Sequence, residues 1–531
     1  MKRFHPRAVN LFTCMMLFAL ALVPRLLPPP GFITWDELNW TYRALQFGVA
    51  MGEVDFARTF QTGHPGVVTM ELGALALTPA HPDPTWVRSL PPFDEDNLQL
   101  VRELAPWLPL ARPAVAVAVA GLIVLTYLTL WPVIGQLAAL VASGLLSFDP
   151  FDLAHSRVLH LDAILTGAMF LAVTALFAYC TTSQRRYWIL SGVMAGLAVL
   201  EKSTGLFVVG FGLMILSAWV LVHRRVDRSG EPERGLRDRW VIPGWFAIFT
   251  STIWILWPAL WIAPGMTAAG LLARAGEAVG GREVVFFLGE RLSNPGIWFY
   301  PTVAAFRLTP VTLLGLGLSL IAAIDGPRRK VSLGFLAYVL LFTLFMTLGK
   351  KFDRYLLPLF PALDALAALG YAWAGTRFAK RPALVASLAL VPLLVQAATS
   401  LPYGPYVLSY YNPLLGGTAR AVQSLPVGWG EGLDQVAAYL EQHLPPGSTV
   451  ATASLPLLAP LYPGPVVPLR DKPLQSADYA LLYLDDVQIG RPVWVERLKT
   501  AGRPVWVLTL WGADYAWLYQ KPFPDVAGNS P

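Results

Sequence analysis

The chain has 531 residues, 55% of them hydrophobic and 14% charged, with 40 Lys and Arg against 34 Asp and Glu for a formal net charge of +6. Soluble domains carry roughly 25% charged residues, and the mean hydropathy here is +0.51, which excludes an ordinary soluble domain and indicates a polytopic α-helical membrane protein. The basic balance then reports inner loops and not nucleic acid. The two cysteines, Cys14 and Cys180, sit in apolar runs, so neither a disulfide framework nor a zinc-type spacing is indicated.

A spanning helix takes about 20 apolar residues. In chain order such spans are predicted near Val9–Leu27, Leu108–Leu130, Val133–Leu146, Leu161–Cys180, Tyr187–Leu200, Ser203–Val222, Val241–Ile262, Pro301–Ile324, Val331–Leu348, Tyr355–Gly375 and Pro382–Ser400, eleven in all. Met1 to Arg7 is basic and precedes an apolar run, but no small-residue cleavage site follows Val23-Pro24-Arg25, so the first span is read as retained. Loop charge puts the N-terminus on the inner, cytoplasmic side: the inner loops then hold Lys2, Arg3 and Arg7, Arg185 and Arg186, six arginines between Arg224 and Arg239, Arg328 to Lys330, and Arg377, Lys380 and Arg381. An odd span count places the C-terminus on the other side. The first outer loop, 28–107, is acid-rich, with Asp94, Glu95 and Asp96 besides Asp36 and Glu37. Within it Val67–Leu77 is helical but short, and is read as lying in the interface.

Residues 1–400 therefore form a transmembrane module, and 401–531 an extracytoplasmic domain of a different pattern. There, helices are predicted at Gly432–His443 and Val493–Thr500. Strands are predicted at Ser448–Ala453, Ala480–Leu484, Pro504–Leu510 and Tyr515–Tyr519, a small α/β domain. No internal repeat is visible.

The residues that carry chemistry gather at outer turns. Asp36–Glu37 follows the first span; a carboxylate there can take the proton of an attacking hydroxyl, while the plainer reading is a helix start capped by Thr34. His64-Pro65-Gly66 marks a turn, and His64 is either a structural histidine or a base. Gly349-Lys-Lys-Phe-Asp-Arg354 sets Lys350, Lys351 and Arg354 where the charge rule disfavours them, suited to a lipid phosphate or to anionic headgroups. His155, Ser156, Arg157 and Asp162 enter the fourth span from outside; Arg157 and Asp162, five apart, stack imperfectly on a helix. Glu201–Lys202 at another outer turn reads as a local ion pair. Arg307 is placed to snorkel outward, whereas Asp364 is deep in a span with no role assigned.

In combination these pieces resemble the lipid-carrier-dependent glycosyltransferases of the GT-C class, in particular bacterial relatives of the protein O-mannosyltransferases (glycosyltransferase family 39). The carrying motifs are Asp36–Glu37, the turn at 64–66, Ser156-Arg157 with Leu161-Asp162, Glu201-Lys202-Ser-Thr-Gly205, Lys350-Lys-Phe-Asp-Arg-Tyr355, Asn294-Pro-Gly-Ile-Trp-Phe-Tyr-Pro301 and Tyr410-Tyr-Asn-Pro-Leu-Leu-Gly-Gly417. They cover most of 30–420.

The resemblance implies Asp36 as base, with Glu37 and His64 beside it. It implies Arg157, Lys202, Lys350, Lys351 and Arg354 toward the donor phosphate, with Ser156, Asp162 and Tyr355 in the same surroundings. It further implies a polyprenyl-phosphate-linked sugar as donor, transfer to an acceptor hydroxyl, and no tightly bound cofactor or nucleotide, the need for a divalent metal being left open. Two departures stand out. The mannosyltransferases carry a longer His-Pro-Pro-type loop where this chain has His-Pro-Gly, and their large outer domain lies between spans and not at the end, so a peptide acceptor is not implied. The rival readings are a lipid-linked sugar transporter or flippase, which would show repeats or broken midplane helices, and a non-catalytic envelope protein.

Overall fold

The computed structural model describes residues 6–226, 239–280, 284–325, 329–378, 382–490 and 492–523. Most of the Arg224–Arg239 loop, together with Lys2, Arg3, Arg328, Lys380 and Arg381, lies outside the described residues.

Each predicted span contains a helix: α1 (Pro6–Leu26), then after the first loop α4 (Leu108–Ile134), α5 (Gln136–Ser147), α7 (Asp162–Thr182), α8 (Arg185–Glu201), α9 (Leu206–Val226), α10 (Val241–Leu256), α12 (Pro310–Asp325), α13 (Arg329–Thr347), α14 (Phe360–Phe378) and α15 (Pro382–Ser400). The loop holds α2 (Glu37–Gly52) and α3 (Val67–Leu77), α6 (Pro150–His155) links α5 to α7, and α11 (Phe299–Arg307) precedes α12. Among the described residues five helices are long and apolar enough to cross a membrane, or six if the bent pair α11 and α12 counts as one.

That pair corrects the predicted eighth span. The chain turns by 112° between α11 and α12. Pro310 disfavours helical backbone at Thr309, and the Thr309 hydroxyl instead accepts the Thr312 N–H at 3.1 Å, opening a new helix. The seventh span likewise stops at Leu256, two residues before Pro258.

Helices α7 and α14 are apolar on nearly every face and are buried along most of their length, which makes them the centre of the bundle. Against α7 pack α4 and α8, and against α14 pack α12 and α5.

The C-terminal part folds as α16 (Leu433–His443), α17 (Pro492–Ala501) and a five-stranded sheet, with a separate hairpin of β1 (Val285–Phe287) and β2 (Glu290–Leu292) earlier in the chain. The sheet runs β4 (Val466–Pro468), β3 (Val450–Thr452), β5 (Tyr479–Tyr483), β7 (Ala513–Gln520), β6 (Trp506–Leu510). β3 is parallel to β4 and β5, and β7 is antiparallel to β5 and β6. Sequence pattern found every strand of this sheet except β4. Both faces are covered. Leu481, Tyr483, Leu508 and Tyr515 join the core of the helical bundle, whereas Ala480, Leu482, Val495 and Leu498 form a smaller core on the other side. The sheet is thus packed directly onto the helices, above their first loop.

Candidate active site

The acidic pair starts α2, with Asp36 as its N-cap residue. Adjacent helical residues point about 100° apart, and the two carboxylates separate completely. Glu37 turns inward and is fully buried. It takes both arms of Arg112, Nε to Oε1 and Nη2 to Oε2, each at 2.7 Å, and accepts the N–H groups of Thr34 at 3.0 Å and Leu159 at 2.9 Å. Arg112 spends its other donors on the carbonyls of Pro30 and Phe32. Every lone pair of Glu37 is thus used in fastening the first loop to α4 and to the link between α6 and α7. The structure does not bring Glu37 into a catalytic position.

Asp36 faces a cavity of ≈ 360 Å³ lined by Trp35, His155, Arg307, Asp353 and Arg354 and roofed by residues of the C-terminal part. Its side chain is 38% exposed to this space. Arg354 Nη2 donates to Asp36 Oδ2 at 3.3 Å, and His160 Nε2 lies 3.4 Å from the same oxygen. The other ring nitrogen of His160, Nδ1, is 3.3 Å from Asp162 Oδ2. Asp162 also receives Lys202 Nζ at 2.8 Å and approaches Arg354 Nε at 3.5 Å. The Tyr355 ring lies under both cations, 3.9 Å from Lys202 Nζ and 5.8 Å from Arg354 Cζ.

Four segments converge to build this cluster: the start of α2, the irregular link before α7, the residue after α8, and the 3-10 turn Asp353–Leu359 before α14. Asp162 opens α7, where the helix dipole favours a carboxylate.

The electrostatics follow from this crowding. Burial pushes the Asp36 carboxyl up, but the hydrogen bond with His160 and the charge of Arg354 outweigh it and hold the group below the usual carboxylate range. Burial pushes His160 down, and its two carboxylate neighbours, Asp162 and Asp36, carry it above the ordinary histidine value. The two carboxylates thereby stabilise the protonated ring relative to a free histidine.

A second set of contacts closes the far wall. Arg307 does not snorkel outward. Its break between α11 and α12 is buried, and the guanidinium donates to the carbonyls of Leu408 at 2.7 Å and Tyr410 at 3.0 Å, to Asp353 at 2.7 Å and to the Tyr411 hydroxyl at 2.8 Å. The roof is Pro426–Trp429 with Glu431, Asp485 and Ile489. The Trp429 ring lies 5.3 Å from His160, 5.4 Å from His155 and 5.0 Å from Arg354 Cζ. Gln488 anchors this strip by accepting from Val427 N at 2.8 Å and donating to the carbonyls of Val422 and Leu425. Gly430 adopts φ +112°, and a Cβ there would lie 2.0 Å from the Ile33 carbonyl oxygen, so only glycine lets the roof sit this close to the segment before Asp36. Burial, with Asp486 and Glu431 nearby, pushes Asp485 up to about 7.

Other residues expected at the site lie elsewhere. Arg157 donates to the carbonyls of Pro24 and Pro28 at the end of α1 and has no contact with Asp162. Ser156 bonds the carbonyls of Asp152 and Leu153 within its own turn. Lys351 bonds the Thr347 and Gly349 carbonyls, closing the end of α13. The Lys350 carbonyl receives the Tyr300 hydroxyl at 3.3 Å, and its side chain is not part of the cavity lining. His64 is also outside the lining; the turn it begins is set by Gly66, whose φ is +55° and whose N–H donates to the Glu201 carbonyl at 2.9 Å. Glu201 and Lys202 do not pair with each other. Glu201 accepts the Thr69 hydroxyl, tying α3 to α8, and Lys202 goes to Asp162. Asp364 is buried in α14 and accepts from Thr312 at 3.0 Å, away from the cavity.

Sequence reasoning missed His160 and the roof. His160 stands two residues before Asp162, within a stretch whose other polar residues drew attention. The roof has its own signal, the alternating glycines of Gly428-Trp-Gly-Glu-Gly432, all three at positive φ.

The chain is thus a polytopic helical bundle whose charged turns meet in one pocket. Residues 110–230 match the family model described as dolichyl-phosphate-mannose-protein mannosyltransferase. That stretch covers most of α4 to α9 and includes Arg112, His160, Asp162 and Lys202. The likeness to GT-C glycosyltransferases of the protein-mannosyltransferase type, expected from the motifs, is therefore found, over less than half of the chain. Among solved structures, ArnT from Cupriavidus metallidurans bound to undecaprenyl phosphate is similar at 13% identity and a TM-score of 0.48, over 96% of this chain and 97% of that one. The Pmt1–Pmt2 protein O-mannosyltransferase complex of S. cerevisiae bound to its sugar donor is similar at 16% identity and a TM-score of 0.38, over 53% and 38%. The apo oligosaccharyltransferase of Archaeoglobus fulgidus is similar at 11% identity and a TM-score of 0.44, over 91% and 71%. With TM-scores below 0.5, none of the three bears on the roles of the residues described above. No curated protein matches the sequence.

Proposed function

We propose that this chain is an integral membrane glycosyltransferase that moves one monosaccharide from a polyprenyl-phosphate carrier to an acceptor hydroxyl at the outer membrane face, with inversion. The observation that carries the reading is the meeting of Asp36 with Arg354 in one cavity at the loop end of the bundle. In the step, the acceptor oxygen bonds to the anomeric carbon, the bond from that carbon to the phosphate oxygen breaks, and the hydroxyl proton passes to Asp36. The carrier phosphate leaves with the electron pair and needs a cation more than an acid. Arg354 suits that role, since it lines the cavity. A phosphate drawn to Arg354 competes with Asp36 for the same guanidinium. Loosening that contact raises the basicity of Asp36, so donor binding primes the base. His160, Asp162 and Lys202 hold the pair in place.

The test is a transfer assay with purified protein and a panel of polyprenyl-phosphate hexoses, pentoses and aminosugars. Consumption of one donor that depends on Asp36 supports the reading. Consumption of none, or movement of an intact carrier-linked sugar across a vesicle, rejects it in favour of a transporter or an envelope protein without catalysis.

A further inference from the structure

A second and larger cavity, ≈ 590 Å³, opens at the other end of α4, α7 and α8. Helix α7 begins at Asp162 in the charged cluster and ends at Thr182 on this cavity's edge. Its 21 residues span about 30 Å at 1.5 Å per residue, the thickness of a bilayer's hydrocarbon core. Helix α8 returns along it, from Arg185 beside the cavity to Glu201, next to Lys202 in the cluster. The cavity therefore faces the opposite bilayer surface from Asp36 and plays no part in the chemistry there.

Its walls are Leu125, Leu128 and Pro132 of α4 and Leu190 of α8. Its rim is Gln184 and Arg186, both exposed. Arg186 is not loose. Its guanidinium lies over the Tyr187 ring with Cζ 4.7 Å from the centroid, and Nη2 donates to the Tyr187 hydroxyl at 3.1 Å. Arg185 precedes it, and no carboxylate lines the cavity.

We propose that this cavity binds an anionic phospholipid, with an acyl chain along the leucine wall and the phosphate on Arg186. Apolar walls between spanning helices suit a lipid chain, and a basic rim at the membrane surface suits a headgroup. A guanidinium held on an aromatic ring meets phosphate with charge-assisted hydrogen bonds. Charge also decides between headgroups. A zwitterionic lipid would bring its ammonium beside two arginines with no acid among the lining residues to receive it, whereas phosphatidylglycerol brings only the anion. The proposal does not depend on the transferase reading.

The test is native mass spectrometry of the full chain released from mixed vesicles of phosphatidylglycerol and phosphatidylcholine, with undecaprenyl phosphate as a third arm. Phosphatidylglycerol is expected to be retained about tenfold over phosphatidylcholine, because both offer the phosphate and only the choline group brings a cation beside the arginines. Arg186→Ala should bring the two to parity, as should Leu128→Phe, which fills the wall; Arg420→Ala, an exposed arginine outside the cavity, should leave the preference intact. Unfolding temperatures near that of the parent chain show that the variants are folded. Equal retention of both lipids by the parent chain overturns the proposal, as does a preference untouched by Arg186→Ala. Retention of undecaprenyl phosphate in place of phosphatidylglycerol overturns it too, and makes the cavity a carrier site.

Discussion

Arg354 reaches Asp36 across 318 positions of sequence, its Nη2 at 3.3 Å from the carboxylate. The contact joins the first loop to the turn before α14, and it makes one guanidinium answer to two anions, Asp36 and Asp162. Whatever anion enters the cavity must divide Arg354 with them.

Asp36→Asn is expected to abolish most transfer at saturating donor, by about 10²–10⁴-fold, the usual cost of losing a general base. Folding should survive, because the loop is fastened by Glu37 and not by Asp36. Single-turnover rates with a carrier-linked sugar check this, and near-normal turnover in the variant removes Asp36 from the mechanism.

Glu37→Gln should behave differently. It leaves Arg112 buried without its counter-charge, a loss on the order of 3–5 kcal/mol for a broken buried pair. The expected outcome is a lowered unfolding temperature and poor yield, with any folded fraction still turning over. A stable but inactive Glu37→Gln protein would reverse the assignments of the two acids.

Arg354→Ala and Lys350→Ala should now separate. Only Arg354 lines the cavity, so its loss should weaken donor binding about tenfold or more, by the value of a charge-assisted contact. Lys350→Ala should leave donor affinity unchanged. Titration of each variant with a carrier-phosphate analogue decides the matter, and equal losses would show that the phosphate sits further toward α13.

The bridging histidine sets a pH dependence. His160 binds its proton more tightly in the folded chain than the ordinary value of 6.5. Its contribution to stability is thus fully present below pH of about 6.5 and is lost as pH rises through the raised folded value. The unfolding temperature of the parent protein minus that of His160→Gln should therefore shrink as pH increases above that point. A difference that grows with pH would mean the ring is neutral in the folded state.

How much of this was legible beforehand depends on the range of the interaction. Helix positions came from local hydropathy, and Asp36 and Arg354 stood out because each is a charge beside a span. The partner of Glu37 did not, since Arg112 lies 75 residues away inside an apolar helix. The place of Arg307 is not legible from hydropathy, which treats a span as continuous across the Thr309-Pro310 step that breaks it. Trp429 was hidden for a different reason. Its place above the site is set by tertiary packing of the sheet on the bundle, for which a single sequence carries only the glycine spacing as a hint.

The contact of Gly430 with Ile33 has a consequence for biosynthesis. Asp36 leaves the ribosome 394 positions before Gly430 of the roof, and Arg354 leaves it 76 positions before. During insertion the acid and the arginines are therefore in place while the enclosure is still missing. A nascent chain can solvate its charged basin freely until the roof segment arrives and narrows the access of water. The order of synthesis thereby covers the pocket only after its charges are in place.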